Sequence, residues 1–135
     1  MDLFKWKDEF SVGIQQLDED HKKLIEYLNE VYNMMLNKAN KDEIIHVLTG
    51  LKSYTVQHFS NEETLFEEYS YPDMSKHKLE HKDFVGKVED FFKGYNSGKL
   101  MLNMEVMNFL KDWLRTHING SDRAYKDYLT GKGAR

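Results

Sequence analysis

TVQHFSNEETLFEEYSYPDMSKHKLEH, residues 55–81, carries the same periodic signal on both sides of its one proline. Before Pro72, the stripe Ile44, Leu48, Leu51, Thr55, His58, Glu62, Leu65, Tyr69 recurs at steps of three and four. After Pro72, Met74, His77, His81, Phe84, Val88, Phe91, Tyr95 does the same. That period is the inward face of a helix packed on other helices. Ser70, Tyr71 and Pro72 end one helix, and Asn96, Ser97 and Gly98 end the next. The unusual feature is what occupies the stripe. His58, Glu62, His77 and His81 stand where apolar residues belong.

Working outward, Leu17, His21, Leu24, Leu28, Val31, Met35 form an earlier stripe, with Asp18 in its N-cap region and Asn37 to Asn40 closing it. Val106, Leu110, Trp113, His117 form a later one, which Tyr125 and Leu129 continue past a soft spot at Asn119, Gly120, Ser121. Four comparable amphipathic helices with short loops make sequence neighbours antiparallel. The expected fold is all-α: an up-down-up-down four-helix bundle, one domain over residues 1–135. An N-terminal arm, residues 1–16, should pack across it through Phe4, Trp6, Phe10 and Ile14, and residues 131–135 read as a flexible tail.

Composition removes other classes. With 40% hydrophobic and 31% charged residues and a single proline, the chain is globular rather than disordered. Its 23 acidic and 19 basic residues are interspersed, leaving no basic stripe for nucleic acid. No segment has the apolar length to span a bilayer, so the default expectation is a cytoplasmic protein without a membrane partner. The mostly polar outer faces suggest a monomer. There are no cysteines, so a bound metal must take nitrogen and oxygen ligands.

Each buried imidazole or carboxylate without a partner costs on the order of a few kcal/mol, so several in one core demand a shared ligand. In an antiparallel bundle, residues of one site must fall at one end whichever way each helix runs. His21 lies early in the first helix, His58 and Glu62 late in the second, His77 and His81 early in the third, and His117 with Asp122 late in the fourth. All seven converge. His46, between Ile44 and Leu48, should face outward. His117 and Asp122 are five apart, off one face of a regular helix, so the helix is expected to widen or unwind through Asn119–Ser121 and swing Asp122 inward. Five imidazoles and two carboxylates are too many for one tetrahedral zinc. They suit two higher-coordinate ions bridged by Glu62 and Asp122, and the set lacks the Glu-x-x-His motifs of ferritin-like oxidases.

The order His, His-x-x-x-Glu, His-x-x-x-His, His-x-x-x-x-Asp resembles the hemerythrins, particularly the bacterial single-domain ones. The arm and the segment Leu17-Asp18-Glu19-Asp20-His21 resemble that family's N-terminal signature. The resemblance implies two non-haem iron ions with a bridging oxide or hydroxide. His77, His81 and His117 would complete one iron and His21 and His58 the other, which would take dioxygen reversibly. Leu24, Ile25, Trp113 and Leu114 fall within a turn of these residues and are candidates to line a dry oxygen pocket. The implied role is oxygen storage, delivery or supply to an oxygen-using enzyme, not catalysis. Two other readings are sensing through the same centre, which in a chain ending so near its last helix needs a separate partner, and peroxidase, oxidase or nitric-oxide chemistry.

Overall fold

The computed structural model describes residues 2–135, and among these there is helix and no strand. A short 3-10 turn at Asp8–Phe10 precedes α1 (Gln15–Leu36), α2 (Lys41–Glu68) and α3 (Met74–Asn96). The fourth helix is built in three pieces: α4 (Met104–Thr116), a π-helical turn at His117–Asp122, and α5 (Arg123–Gly131). Together they make the up-down-up-down bundle that the four stripes call for. Among the described residues no helix is long and apolar enough to cross a membrane.

The helices start and stop where local chemistry directs. Asn40 and Asn103 cap α2 and α4, their side-chain oxygens accepting from Glu43 N–H at 2.9 Å and Val106 N–H at 3.0 Å. α2 stops because Ser70 turns left-handed (φ 53°), letting Tyr71 N–H reach back to Phe66 C=O at 2.8 Å before Pro72. α3 closes in the same way on Gly98 (φ 83°), Lys99 N–H bonding Gly94 C=O at 2.8 Å. A Cβ at Gly94 would run into the Leu100 side chain, which would have to shift.

Two details differ from the sequence reading. Asp18 does not cap α1, which begins at Gln15. Its carboxylate instead holds the arm, accepting from Val12 N–H at 2.8 Å and Ser11 Oγ at 2.5 Å. Within residues 131–135, expected to be a flexible tail, Ala134 is buried while its four neighbours are exposed. Gly133 (φ 104°) turns the chain so that Ala134 is buried beside Val12, Ile14 and Leu129, and Arg135 donates to Thr130 C=O at 2.8 Å.

The apolar interior falls into two clusters. One, with Leu24, Leu28, Leu48, Phe84, Leu110 and Leu114, fills most of the bundle, and Phe4 and Phe10 of the arm join it. The other, with Val12, Leu17, Phe66, Tyr71, Tyr125 and Leu129, closes one end. Along α1, His21 falls between Leu17 of the end cluster and Leu24 of the main one. The other inward polar residues occupy the same layer on their helices.

Candidate metal centre

All seven polar residues singled out from the sequence are at most 4% exposed, and the structure brings them together. They form two groups whose ligand-type atoms lie within 4.8 Å of one another: Glu62, His77, His81, His117, Asp122, and His21, His58, Glu62, Asp122. Glu62 and Asp122 belong to both. His46 is exposed and takes no part.

Asp122 reaches this layer through the π-helical turn. Five residues then span what four would span on an α-helix, so Asp122 faces inward with His117 instead of turning off its face. Its two oxygens divide between the groups. Oδ2 lies 2.9 Å from His21 Nε2, whereas Oδ1 lies 2.8 Å from His77 Nε2 and 3.1 Å from His117 Nε2. Glu62 is placed similarly, with Oε1 at 3.3 Å from His58 Nε2 and 3.1 Å from His81 Nε2, and Oε2 at 3.9 Å from His21 Nε2.

Short as these distances are, most are not hydrogen bonds. His21 Nε2, His58 Nε2, His77 Nε2, Glu62 Oε1 and both Asp122 oxygens are buried without a hydrogen-bond partner. Ring nitrogens and carboxylate oxygens crowd around shared points without hydrogen-bonding geometry, which is the arrangement of metal donors. Left as they stand, so many unsatisfied buried groups would be expensive. The donor set also fits: imidazole and carboxylate in this number suit two ions of the iron class with room for exogenous ligands.

Behind the donors stands a set of orienting groups that the sequence reading did not identify. Asp20, 2% exposed, accepts from His58 Nδ1 at 2.9 Å, Tyr54 Oη at 2.9 Å, Asn61 Nδ2 at 3.1 Å and Gln16 Nε2 at 2.8 Å. Placing the proton on Nδ1 leaves His58 Nε2 free to act as a donor atom. Glu63 does the same for His81 Nδ1 at 2.9 Å. Glu80, which accepts from Ser121 Oγ at 2.6 Å, lies 3.6 Å from His117 Nδ1. Tyr125 donates to Glu62 Oε2 at 2.5 Å.

Charge and burial pull against one another here. Burial works to raise Asp20, but hydrogen bonds from His58, Asn61 and Tyr54 hold it down to about 2. Burial works to lower His58, yet Glu62 and the Asp20 hydrogen bond push it up to about 10. Burial and the Asp122 charge press Glu62 upward, and the histidines outweigh them and keep it below the ordinary carboxylate range. The metal-free layer is thus an internally neutralised mixture of carboxylates and protonated imidazole, and metal must displace protons to enter. An Asp20→Asn change keeps the size and removes the charge. It should weaken metal binding by roughly 10–100-fold while leaving the helical circular dichroism unchanged. A chelator-competition titration reads this, and unchanged affinity would deny Asp20 its orienting role.

A cavity of about 20 Å³ adjoins the layer, lined by Leu24, Phe59, Phe84, Trp113 and Leu114 among others. Trp113 stacks on His117 (centroids 4.5 Å apart, 16°) and on Phe84 (3.9 Å, 16°). Three of the four expected pocket residues are therefore in this wall. Ile25 is buried in the main cluster but does not line the cavity.

Comparison with known proteins bears on the same residues. The sequence model of the hemerythrin HHE cation binding domain matches residues 12–129. A bacteriohemerythrin of Clostridium acetobutylicum is 36% identical over 129 residues, covering 93% of this chain and all of the relative. One from Stenotrophomonas maltophilia is 32% identical, covering 96% of this chain and 83% of the relative. A crystal structure of wild-type hemerythrin superposes with a TM-score of 0.89 at 32% identity, covering 95% of this chain and 98% of that one.

Proposed function

The chain belongs to the hemerythrin family, and on that footing we propose that it binds dioxygen reversibly at a non-haem di-iron centre. The observation that carries this reading is the pair of buried donor groups sharing Glu62 and Asp122. His77, His81 and His117 would hold one iron, His21 and His58 the other, and the two carboxylates both. The ion held by His21 and His58 would have fewer protein donors and would be the one to take dioxygen. When bound, the iron pair supplies the two electrons that capture of dioxygen requires.

The rest is the work of the chain. Asp20 and Glu63 fix the tautomers of His58 and His81, so the donor atoms point into the layer before metal arrives. Tyr125 holds Glu62 in place from the side of the end cluster. The apolar wall of Leu24, Trp113 and Leu114 keeps water from the centre, which protects a reversible binder from losing its ligand as a reduced product. We place the protein in the cytoplasm as an oxygen store or supplier, acting as a monomer.

The direct test is an iron count and optical spectrum on anaerobically reduced protein exposed to air and then deoxygenated. Two irons per chain, with a colour that comes and goes with oxygen, is the expected result. Irreversible passage to a plain oxidised spectrum would turn the assignment toward sensing or catalysis. Leu114→Ala should hasten decay of the oxygenated form several-fold, on the order of the effect of letting water into a dry site, without loss of iron. Decay at the original rate would remove Leu114 from the shielding wall.

A further inference from the structure

On the face of the layer away from Trp113, three tyrosines lead outward. Tyr125 is fully buried, its hydroxyl on Glu62 Oε2 and its ring 5.6 Å from that of His77. Tyr71 follows, edge-on to Tyr125 at 6.3 Å, and Tyr128 follows Tyr71 at 5.5 Å. Tyr128 is half-buried and reaches the surface, its hydroxyl donating to Tyr69 C=O at 2.7 Å and Ser70 C=O at 2.9 Å. The hydroxyls of Tyr125 and Tyr128 make hydrogen bonds, but ring packing by itself needs no hydroxyl, as Phe66 beside Tyr125 shows. What tyrosine adds is a ring that gives up an electron together with a proton.

We propose that Tyr125, Tyr71 and Tyr128 form a chain that carries oxidising equivalents from the metal centre to the surface, discharging hydrogen peroxide before it damages the histidine donors. The inference rests on the di-iron reading above. One hydrogen peroxide takes up two electrons and two protons, its O–O bond breaks, and it leaves as two waters. Two tyrosines each give one electron and one hydroxyl proton and become neutral phenoxyls, and the iron pair ends in the oxidation state in which it began. The Tyr125 hydroxyl proton moves along its hydrogen bond to Glu62 and returns once Tyr71 refills the ring, so the protons lost in net are those of the two final donors, released to water. At the far end, Lys132 Nζ lies 5.5 Å from the Tyr128 ring centroid and opposes positive charge on it, so the oxidised species there is the neutral phenoxyl. Two Tyr128 phenoxyls from separate molecules then couple through one carbon–carbon bond to give dityrosine.

The test treats iron-loaded protein with hydrogen peroxide, traps radicals by rapid freezing for electron paramagnetic resonance, and maps dityrosine by fluorescence and peptide mass. The wild-type chain should show a phenoxyl signal and dityrosine at Tyr128. Tyr128→Phe should lose the cross-link and keep the signal. Tyr71→Phe leaves the Tyr125–Glu62 contact untouched, and it should also keep the signal and lose the cross-link. A tryptophan-type radical at Trp113, or cross-linking undiminished in Tyr71→Phe, would overturn the chain. Protein that binds dioxygen reversibly yet yields no phenoxyl overturns the chain alone. Protein that takes up no iron overturns the di-iron reading and the chain with it.

Discussion

Glu62→Gln should reduce the iron content of the purified chain from two per molecule to less than one, and Asp122→Asn should do the same. Glu62 and Asp122 are the only carboxylates within the two donor groups, and each serves both. Two divalent ions would bring four positive charges into a layer where the remaining donors are imidazoles, which carry no negative charge. Removing one partner of a buried charge pair costs about 3–5 kcal/mol, which at about 1.4 kcal/mol per tenfold corresponds to a loss of affinity of roughly a hundred- to a few thousand-fold. Glutamine retains an oxygen that can accept from Tyr125, so the change removes charge while keeping shape and leaves the bundle intact by circular dichroism. Two irons retained at undiminished affinity in Glu62→Gln would show that Glu62 does not bridge.

The fold was legible because one period repeats four times, and the layer was legible because polar residues interrupt that period at one level. Asp122 was the harder case, since its position five after His117 has no place on a regular helix. The soft residues Asn119, Gly120 and Ser121 marked where the helix widens into its π turn. Asp20 was missed although its signal was present. It lies three after Leu17 and four before Leu24, so it shares their stripe, but it was read only within the segment Leu17–His21 and given no role of its own. Tyr125 entered the sequence reading only as a stripe residue and Tyr54 not at all, and nothing in a periodicity says where a hydroxyl points. Gly133 read as slack in a tail. Its left-handed turn instead folds Ala134 onto the end cluster, a contact that depends on the arm, more than a hundred residues earlier.

Removing the metal should lower the melting temperature by roughly 10–20 °C, and the gap between loaded and metal-free protein should widen as pH rises. A ligand at a thousand times its dissociation constant stabilises the folded chain by about 4 kcal/mol, and at this chain length each kcal/mol is worth roughly 3–5 °C. The pH dependence follows from the metal-free layer. His58, raised from 6.5 to about 10, contributes stability that is fully present below its unfolded value and is lost as pH climbs toward its folded one. Asp20 and Glu62, both depressed on folding, contribute stability present above their ordinary values of 3.8 and 4.5 and lost only as pH falls through the depressed ones. Metal-free protein is therefore steadiest between about pH 4.5 and 6.5 and weakens above that window. Metal binding has the opposite slope, because His58 must surrender its proton to become a donor and does so more readily as protons grow scarce. Calorimetry with and without chelator at about pH 6 and about pH 8.5 separates the two trends. Equal melting temperatures with and without metal, or a gap that narrows at the higher pH, would mean that this buried layer is not where the metal binds.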